Sequence, residues 1–402
     1  MPVPRSITRT LLGLLLLGGA VLAGESPSLP PTVNLTDACL EIYDPGIDYF
    51  PEKANLSHAQ GFTLEYFKHY KLVTVTTPWP GATQAFRYLL VQCGAPIPEG
   101  FTDAQVIQVP LPSIAMLSTT HLPHLEVLDA LDRLVAVSSY QTVYSPAVRR
   151  LIDAGQVAEV GRGPGVNLEA ILDLRPALVT AMGYDQPQYN AHALLGDAGI
   201  KVAINADYVE PTLLGRAEWL KFTAAFLNRE GLAQRRFAAL AERYQDYAAL
   251  VPEVPSGQRP AVFFGSLHRD VWNMPGGDSY LARWVADAGG AYPWAEDRHR
   301  ASIPLSFETV FERAQEADVW LTSDLDWFKR SDLLAANDRH SVFKAFREGR
   351  VYNNNARLNA RQANDYWEAG IIEPDLLLAD LIAILHPDRL PDHPLKYFRR
   401  LP

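Results

Sequence analysis

The chain has 402 residues, 48% of them hydrophobic and 20% charged, with a formal net charge of −10. That length suits about two to three domains with ample core to bury. The acidic balance and the lack of any Lys/Arg run exclude a phosphate-backbone partner, so no nucleic acid is expected.

At the N-terminus, Arg5 and Arg9 precede an apolar run from Leu11 to Ala23. Val21-Leu22-Ala23 then puts small residues where a signal peptidase reads. A basic start, an apolar core of ~13 residues and a small-residue exit describe a secretory leader over 1–23, cleaved near Ala23. The run falls short of the ~20 residues that span a bilayer, and no later segment reaches that length, so a soluble exported protein is expected. No Cys directly follows the run, which speaks against lipid attachment there. In an oxidising compartment Cys39 and Cys93 could form one disulfide; the alternative is two separate buried thiols.

Ser26 to Pro31 reads as a tether. Phe62 to Thr77 alternates and is rich in β-branched and aromatic residues, Pro78-Trp79-Pro80-Gly81 is turn chemistry, and Ala85 to Cys93 is a second strand. Together they predict a β-hairpin in an N-terminal extension, 24–105, packed on the first lobe.

From about residue 106 the rhythm changes. Apolar runs at Val106–Val109, Ile114–Leu117, Leu134–Val137, Val157–Val160, Ala177–Ala181 and Val202–Ile204 alternate with helical patterns at His124–Leu131, Pro146–Asp153, Leu168–Leu174 and Tyr189–Ala198. Such alternation predicts a mostly parallel α/β sheet, here a first lobe over 106–210. Residues 211–257 form a helical linker: Leu213, Ala217, Leu220, Ala224 and Leu227 share one face, and a second helix from Leu232 to Leu250 carries Phe237, Leu240, Tyr244 and Tyr247. At ~1.5 Å per residue that second helix covers roughly 28 Å, enough to bridge two small lobes.

A second α/β lobe, 258–402, begins at Ala261–Gly265. It continues through helices Ser279–Ala288 and Ser306–Ala314, strand Asp318–Thr322, helix Ser331–Ala336, strand Arg350–Tyr352 and helix Asp375–Leu385. The fold class is therefore α/β: two Rossmann-like lobes, one long inter-lobe helix and a β-hairpin extension. The lobes echo each other, since Asn167-Leu168-Glu169-Ala170-Ile171-Leu172 parallels Ser306-Phe307-Glu308-Thr309-Val310-Phe311. Spacing alone reads these as helix starts with a carboxylate near the positive end of the dipole.

At these residues a family resemblance enters. Ala136-Val137-Ser138, Val160-Gly161, Asn167-Leu168-Glu169 and Leu174-Arg175-Pro176-Ala177-Leu178-Val179 resemble the first lobe of the helical-backbone substrate-binding proteins of ABC importers, which carry ferric siderophores, haem and cobalamin. Ser306-Phe307-Glu308 and Ala317-Asp318-Val319-Trp320 resemble their second lobe. Asn364-Asp365-Tyr366-Trp367-Glu368 and the ending Asp380 to Pro387 are similar to the iron-complex branch. The family often has Pro-Asp where this chain has Pro176-Ala177, and the segment 32–100 exceeds its minimal lobe.

The resemblance implies a monomeric, non-enzymatic periplasmic component that captures a metal chelate, such as a ferric siderophore, and delivers it to a permease dimer with its ATPase. It implies that Glu169 and Glu308 dock to the permease. It also implies a ligand cleft at strand C-terminal ends, where loop position nominates Thr119, Thr120, His121, Tyr140, Arg162 and Tyr184 in lobe one. In lobe two it nominates His268, Arg269, Trp272, Trp327, Arg357, Tyr366 and Trp367. Arginine forks suit anionic chelates and aromatic faces suit flat ones.

No cofactor and no resident metal are expected, for there is no His-Glu-x-x-His, Cys-x-x-Cys or His-rich loop. Direct Zn²⁺ capture would need His121, His268 and a carboxylate to converge. A different class, an exported hydrolase, would use cleft carboxylates such as Glu296, Asp297, Asp324 and Asp326. Gly161-Arg162-Gly163-Pro164-Gly165 is Gly-rich, but Pro164 and the missing Lys argue against phosphate binding.

Overall fold

The structure, a computed structural model, describes residues 1–2, 30–251 and 255–402. The expected leader and its exit near Ala23 lie outside the described residues. Residues 1–30 and 31–402 are separate compact units; the second is described below.

The stretch 62–77, expected to be one strand, is two. β1 (Phe62–Tyr66) and β2 (Tyr70–Val75) form an antiparallel hairpin, and the N–H of Phe67 closes the turn on the carbonyl of Tyr70 at 2.9 Å. β3 (Phe86–Gln92) adds antiparallel and β4 (Gln105–Val109) adds parallel to it, completing a four-stranded sheet. β4 is the run expected to open the lobe-one sheet. A short apolar run does not encode which sheet it joins, and this one lies against Leu89 and Leu90 of β3. A disulfide joins Cys39 to Cys93, with the Cα atoms 4.8 Å apart, and ties the start of the extension to the end of β3.

Lobe one is a parallel sheet in the order β7-β6-β5-β8-β9. Its strands are β5 (Ile114–Met116), β6 (Leu134–Val137), β7 (Ala158–Glu159), β8 (Leu178–Ala181) and β9 (Val202–Ile204). α1 (Leu122–Val127), α2 (Pro146–Asp153), α3 (Leu168–Leu174) and α4 (Ala191–Asp197) connect them. Burial on both faces follows the alternation along each strand. Ile114 and Met116 face a core shared with the extension's Phe62, Val73 and Leu90. Ala115 and Leu117 face a second core with Ile171 of α3 and Leu195 of α4. Helix starts are set by capping: Ser145 accepts from Ala147 and Val148 ahead of α2, whose first residue is Pro146.

Lobe two carries β10 (Val262–Phe264), β14 (Val319–Thr322) and β15 (Val351–Asn353) in parallel, with β16 (Arg399–Arg400) antiparallel at the edge. A separate antiparallel sheet, β11 (Leu267–His268), β12 (Val271–Pro275) and β13 (Ser302–Leu305), has no counterpart among the expected elements. The helices are α8 (Tyr280–Asp287), α9 (Phe307–Ala314), α10 (Arg330–Ala336), α11 (Lys344–Arg347) and α12 (Pro374–Leu385).

Between the lobes run α5 (Leu213–Glu218), α6 (Leu220–Leu227) and α7 (Glu230–Ala248). Leu213 and Ala217 of α5 belong to the lobe-two core, whereas Trp219 and all the apolar residues of α6 belong to lobe one. α7 starts in the lobe-one core with Ala233 and enters that of lobe two with Phe237, Leu240 and Tyr244. It is the inter-lobe rod. It begins at Glu230 rather than Leu232, because Asn228 takes a left-handed conformation (φ 56) that ends α6.

The expected apolar stripe on α5 and α6 understates their burial, since every residue from Leu213 to Asn228 is buried. Glu218 of α5 and Glu210, just before that helix, are bonded by the extension's backbone. Glu218 accepts the backbone N–H groups of Ser57, His58 and Ala59 and the ammonium of Lys221. Glu210 accepts those of Gln60 and Gly61 and the indole N–H of Trp219.

Candidate functional site

Two cavities open at the C-terminal ends of the strands and share Ser118 and Arg162. One, of about 400 Å³, lies between the lobes. Its lobe-one wall is Ser118, Thr119, Thr120, Gln141, Thr142 and Arg162; its lobe-two wall is Ser323, Leu325, Arg361, Gln362, Ala363, Asn364 and Trp367. The other, of about 590 Å³, extends along lobe one past Gly163, Pro164, Met182, Tyr184, Asp185, Gln186 and Tyr189.

Local chemistry sets these walls. Ser118 follows β5 and accepts from the N–H of Thr120, starting a single helical turn that turns both threonines toward the cavity. Arg162 follows β7 with extended backbone (φ −151). It is preceded by Gly161 at φ +73, where an added Cβ would stand 2.1 Å from the carbonyl oxygen of Gly165. Only glycine allows that closed loop, which fixes the position of Arg162. On the lobe-two wall, Asn364 donates to the carbonyl of Asn354 at 3.1 Å and accepts from the N–H of Tyr366 at 3.1 Å, which holds the turn before Trp367.

Among the described residues, the only charged side chains lining the inter-lobe cavity are Arg162 and Arg361. In a chain of net charge −10, this concentrates cationic fork donors among hydroxyls and amides. Along lobe one, Tyr184 stacks edgewise on Tyr189 at 6.4 Å and lies 6.3 Å from Tyr208. Burial pushes the Tyr184 phenol up, with Arg162 pulling the other way. It remains a neutral hydrogen-bond donor beside a guanidinium.

The structure brings Thr119, Thr120, Arg162, Tyr184 and Trp367 to these cavities. The other nominated residues lie elsewhere. His121 is fully buried and shares a hydrogen bond with Thr180 at 3.1 Å. Tyr140 donates to the carbonyl of Val157 at 2.8 Å and packs on the lobe-one core. Trp272 is fully buried with its indole N–H on the carbonyl of Phe264, and Trp327 and Tyr366 are also lobe-two core. His268 and Arg269 stand exposed at the β11–β12 turn, where Arg269 and Asp270 both have positive φ. Arg357 pairs with Asp365 at 2.6 Å and lines a different cavity.

His121 and His268 therefore do not converge, and no cluster of three or more His, Cys, Asp or Glu fit to hold a metal occurs among the described residues. The hydrolase carboxylates fare no better. Asp324 caps the N–H of Asp326 at 2.9 Å, Asp297 holds His299, and neither they nor Glu296 line the cavities described.

Sequence reasoning passed over Ser118, Gln141, Thr142, Tyr189, Ser323, Arg361 and Asn364. Thr119, Thr120, Arg162, Tyr184 and Trp367 lie on lining loops, whereas His268, Trp272 and Trp327 stand out by residue type and lie outside linings that are largely small and polar. The available signal was position: Ser323 immediately follows β14, and Ser118 lies two residues past the end of β5. Glu169 and Glu308 are both exposed in the first turns of α3 and α9, behind Asn167 and Ser306 as caps.

The family described as "Periplasmic binding protein" matches residues 114–358. The chain belongs to the periplasmic binding protein family. Among curated relatives of this binding protein is the uncharacterized lipoprotein MJ0872 of Methanocaldococcus jannaschii, 29% identical over 329 residues, which span 78% of this chain and 80% of the relative. The uncharacterized lipoprotein MJ0878 of the same organism is 27% identical over 330 residues, 78% of this chain and 75% of the relative. Solved structures share the fold at low identity. A periplasmic heme-binding protein from Pseudomonas aeruginosa aligns with TM-score 0.52 and 18% identity, covering 69% of this chain and 93% of its own. Helicobacter pylori CeuE with Ni(II) bound aligns with TM-score 0.54 and 17% identity, covering 73% and 90%. The two-lobed architecture is thus that of this family, and the four-stranded extension β1–β4 lies before the matched residues.

Proposed function

We propose that this binding protein is the extracytoplasmic solute-binding component of an ABC importer, taking an anionic metal chelate into the inter-lobe cavity. The observation that carries the reading is Arg162 and Arg361 facing one cavity from opposite lobes, with Trp367 alongside and no carboxylate among its described lining. Forked guanidinium donors match carboxylate, catecholate or hydroxamate oxygens, and an aromatic face matches a flat or greasy ligand edge. The similar folds that hold haem in one protein and Ni(II) in another fit a metal-complex ligand. A ferric siderophore or related iron complex is the preferred cargo, delivered to a permease dimer and its ATPase. Glu169 and Glu308 are the docking carboxylates. Two exposed charges on separate lobes supply orientation and on-rate more than affinity.

Two curated relatives are named lipoproteins. Both cysteines of this chain are joined in the disulfide, so neither is free to carry a lipid. That bond agrees with an oxidising, extracytoplasmic setting.

The test is purification from the native source, followed by absorbance and mass spectra of the bound molecule. A ferric chelate, with a charge-transfer band and an iron-bearing mass, is the expected result. A haem Soret band or a corrinoid spectrum would replace the siderophore by another complex. A metal-free sugar or peptide would overturn the reading.

A further inference from the structure

Two loops, one from each lobe, meet beside the inter-lobe cavity. Gln141 donates its side-chain amide to the carbonyl of Arg361, and Asn359 donates to the carbonyl of Val143 at 3.0 Å. The backbone N–H groups of Tyr144 and Ser145 donate to the two carboxylate oxygens of Glu368, at 2.7 and 2.8 Å. Glu368 is 2% exposed.

We propose that Glu368 is a positioning residue for the ligand cleft: by accepting both N–H groups it seats the lobe-one loop carrying Gln141 and Thr142 against the lobe-two loop carrying Arg361 to Trp367, and so latches the cleft along that edge. The physical reason lies in what its removal leaves behind. The N–H of Ser145 is buried and that of Tyr144 part-buried, and a buried N–H left without an acceptor is costly unless water reaches it. Tyr144, Ser145 and Glu368 border a cavity of about 450 Å³ on one side, and water reaches the N–H groups more freely when the loops part. Loss of the carboxylate therefore relaxes by opening the lobes, and the cavity walls separate with it. The inference does not depend on which ligand the cleft holds.

The test reads the ligand-free full chain by electron–electron double resonance, with spin labels at Arg150→Cys on α2 and Glu312→Cys on α9, both exposed. Glu368→Gln, isosteric but with a single acceptor oxygen, should broaden the distance distribution toward longer separations by several ångströms. Glu368→Ala should do so further. Hydrogen exchange at the Tyr144 and Ser145 amides should accelerate by at least tenfold in both variants, after correction for intrinsic rates. A merely structural glutamate would lower the melting temperature and leave the distances as in the parent. Unchanged distances in Glu368→Gln with unchanged exchange at those two amides would overturn the proposal, and the reading of the cleft's ligand would stand untouched.

Discussion

Burial raises the Glu368 carboxyl to about 7, with Asp365 on its own loop and Glu126 of α1 adding to the rise and the N–H groups of Tyr144 and Ser145 opposing it. Arg236 of α7, Arg357, Glu373 and Lys396 line the same cavity and complete its charged surroundings. A carboxyl held above its unfolded value of 4.5 prefers its proton in the fold. Its ionisation therefore costs stability above pH ~7, and that cost is relieved as pH falls toward 4.5, by up to roughly 3 kcal/mol. Relative to Glu368→Gln, the parent should melt lower at pH 8 than at pH 5.5. His121 and His124 act in the opposite sense. Burial pushes both down to about 3, so the fold binds them neutral and loses stability as pH drops below their unfolded value of 6.5. Replacing His124, which shares a hydrogen bond with Thr223 at 2.8 Å, by Gln should shrink the acid-side loss in thermal melts recorded between pH 6.5 and 4. An equal slope in parent and variant would refute that assignment. These histidines also show why residue roles were hard to read in advance. His121 sits one residue past the cavity threonines in sequence, yet the helical turn carries its ring into the core.

At the scale of elements, the extension grips the inter-lobe helices through buried charge. Lys71 of β2 donates to Glu230 at the start of α7, to Asn228 and to the carbonyl of Ala225, and Glu230 also accepts from Asn34. Both charged side chains are fully buried. Glu230→Ala would strand the ammonium of Lys71, so a loss of about 3–5 kcal/mol is expected in denaturant unfolding. The double replacement Lys71→Met with Glu230→Met should recover most of it, and failure to recover would mean that the pair is not what the segment needs. Most lobe elements were legible because amphipathic period and caps coincide: α2 behind Ser145-Pro146, α3 behind Asn167 and α9 behind Ser306 start where their caps are. What was not legible is sheet membership and short antiparallel pairing. Local alternation over 62–77 hides the reversal at Phe67–His69, and β11 has only two residues to announce it. The continuous burial of α5 and α6 was also invisible, because Glu218 and Lys221 read as surface residues until the extension's backbone is laid over them.

For the whole molecule, two lobes with separate cores, linked by α7 and with β1–β4 packed on the lobe-one core, present a cavity between them and exposed carboxylates on helices of both lobes. Transport should separate from binding. Glu169→Ala together with Glu308→Ala should abolish uptake in cells while leaving ligand affinity within about twofold, since neither side chain lines the cavities described. Lost ligand binding in that pair would remove them from the docking role.

The most direct measurement is calorimetric titration of the ligand-free protein with a ferric siderophore complex, comparing the parent with Arg162→Ala plus Arg361→Ala. Saturable 1:1 binding that weakens by at least a hundredfold in the double variant is the predicted result. Binding of equal strength in parent and variant, or none to any ferric chelate, haem or corrinoid, would contradict an anionic metal complex held between the lobes.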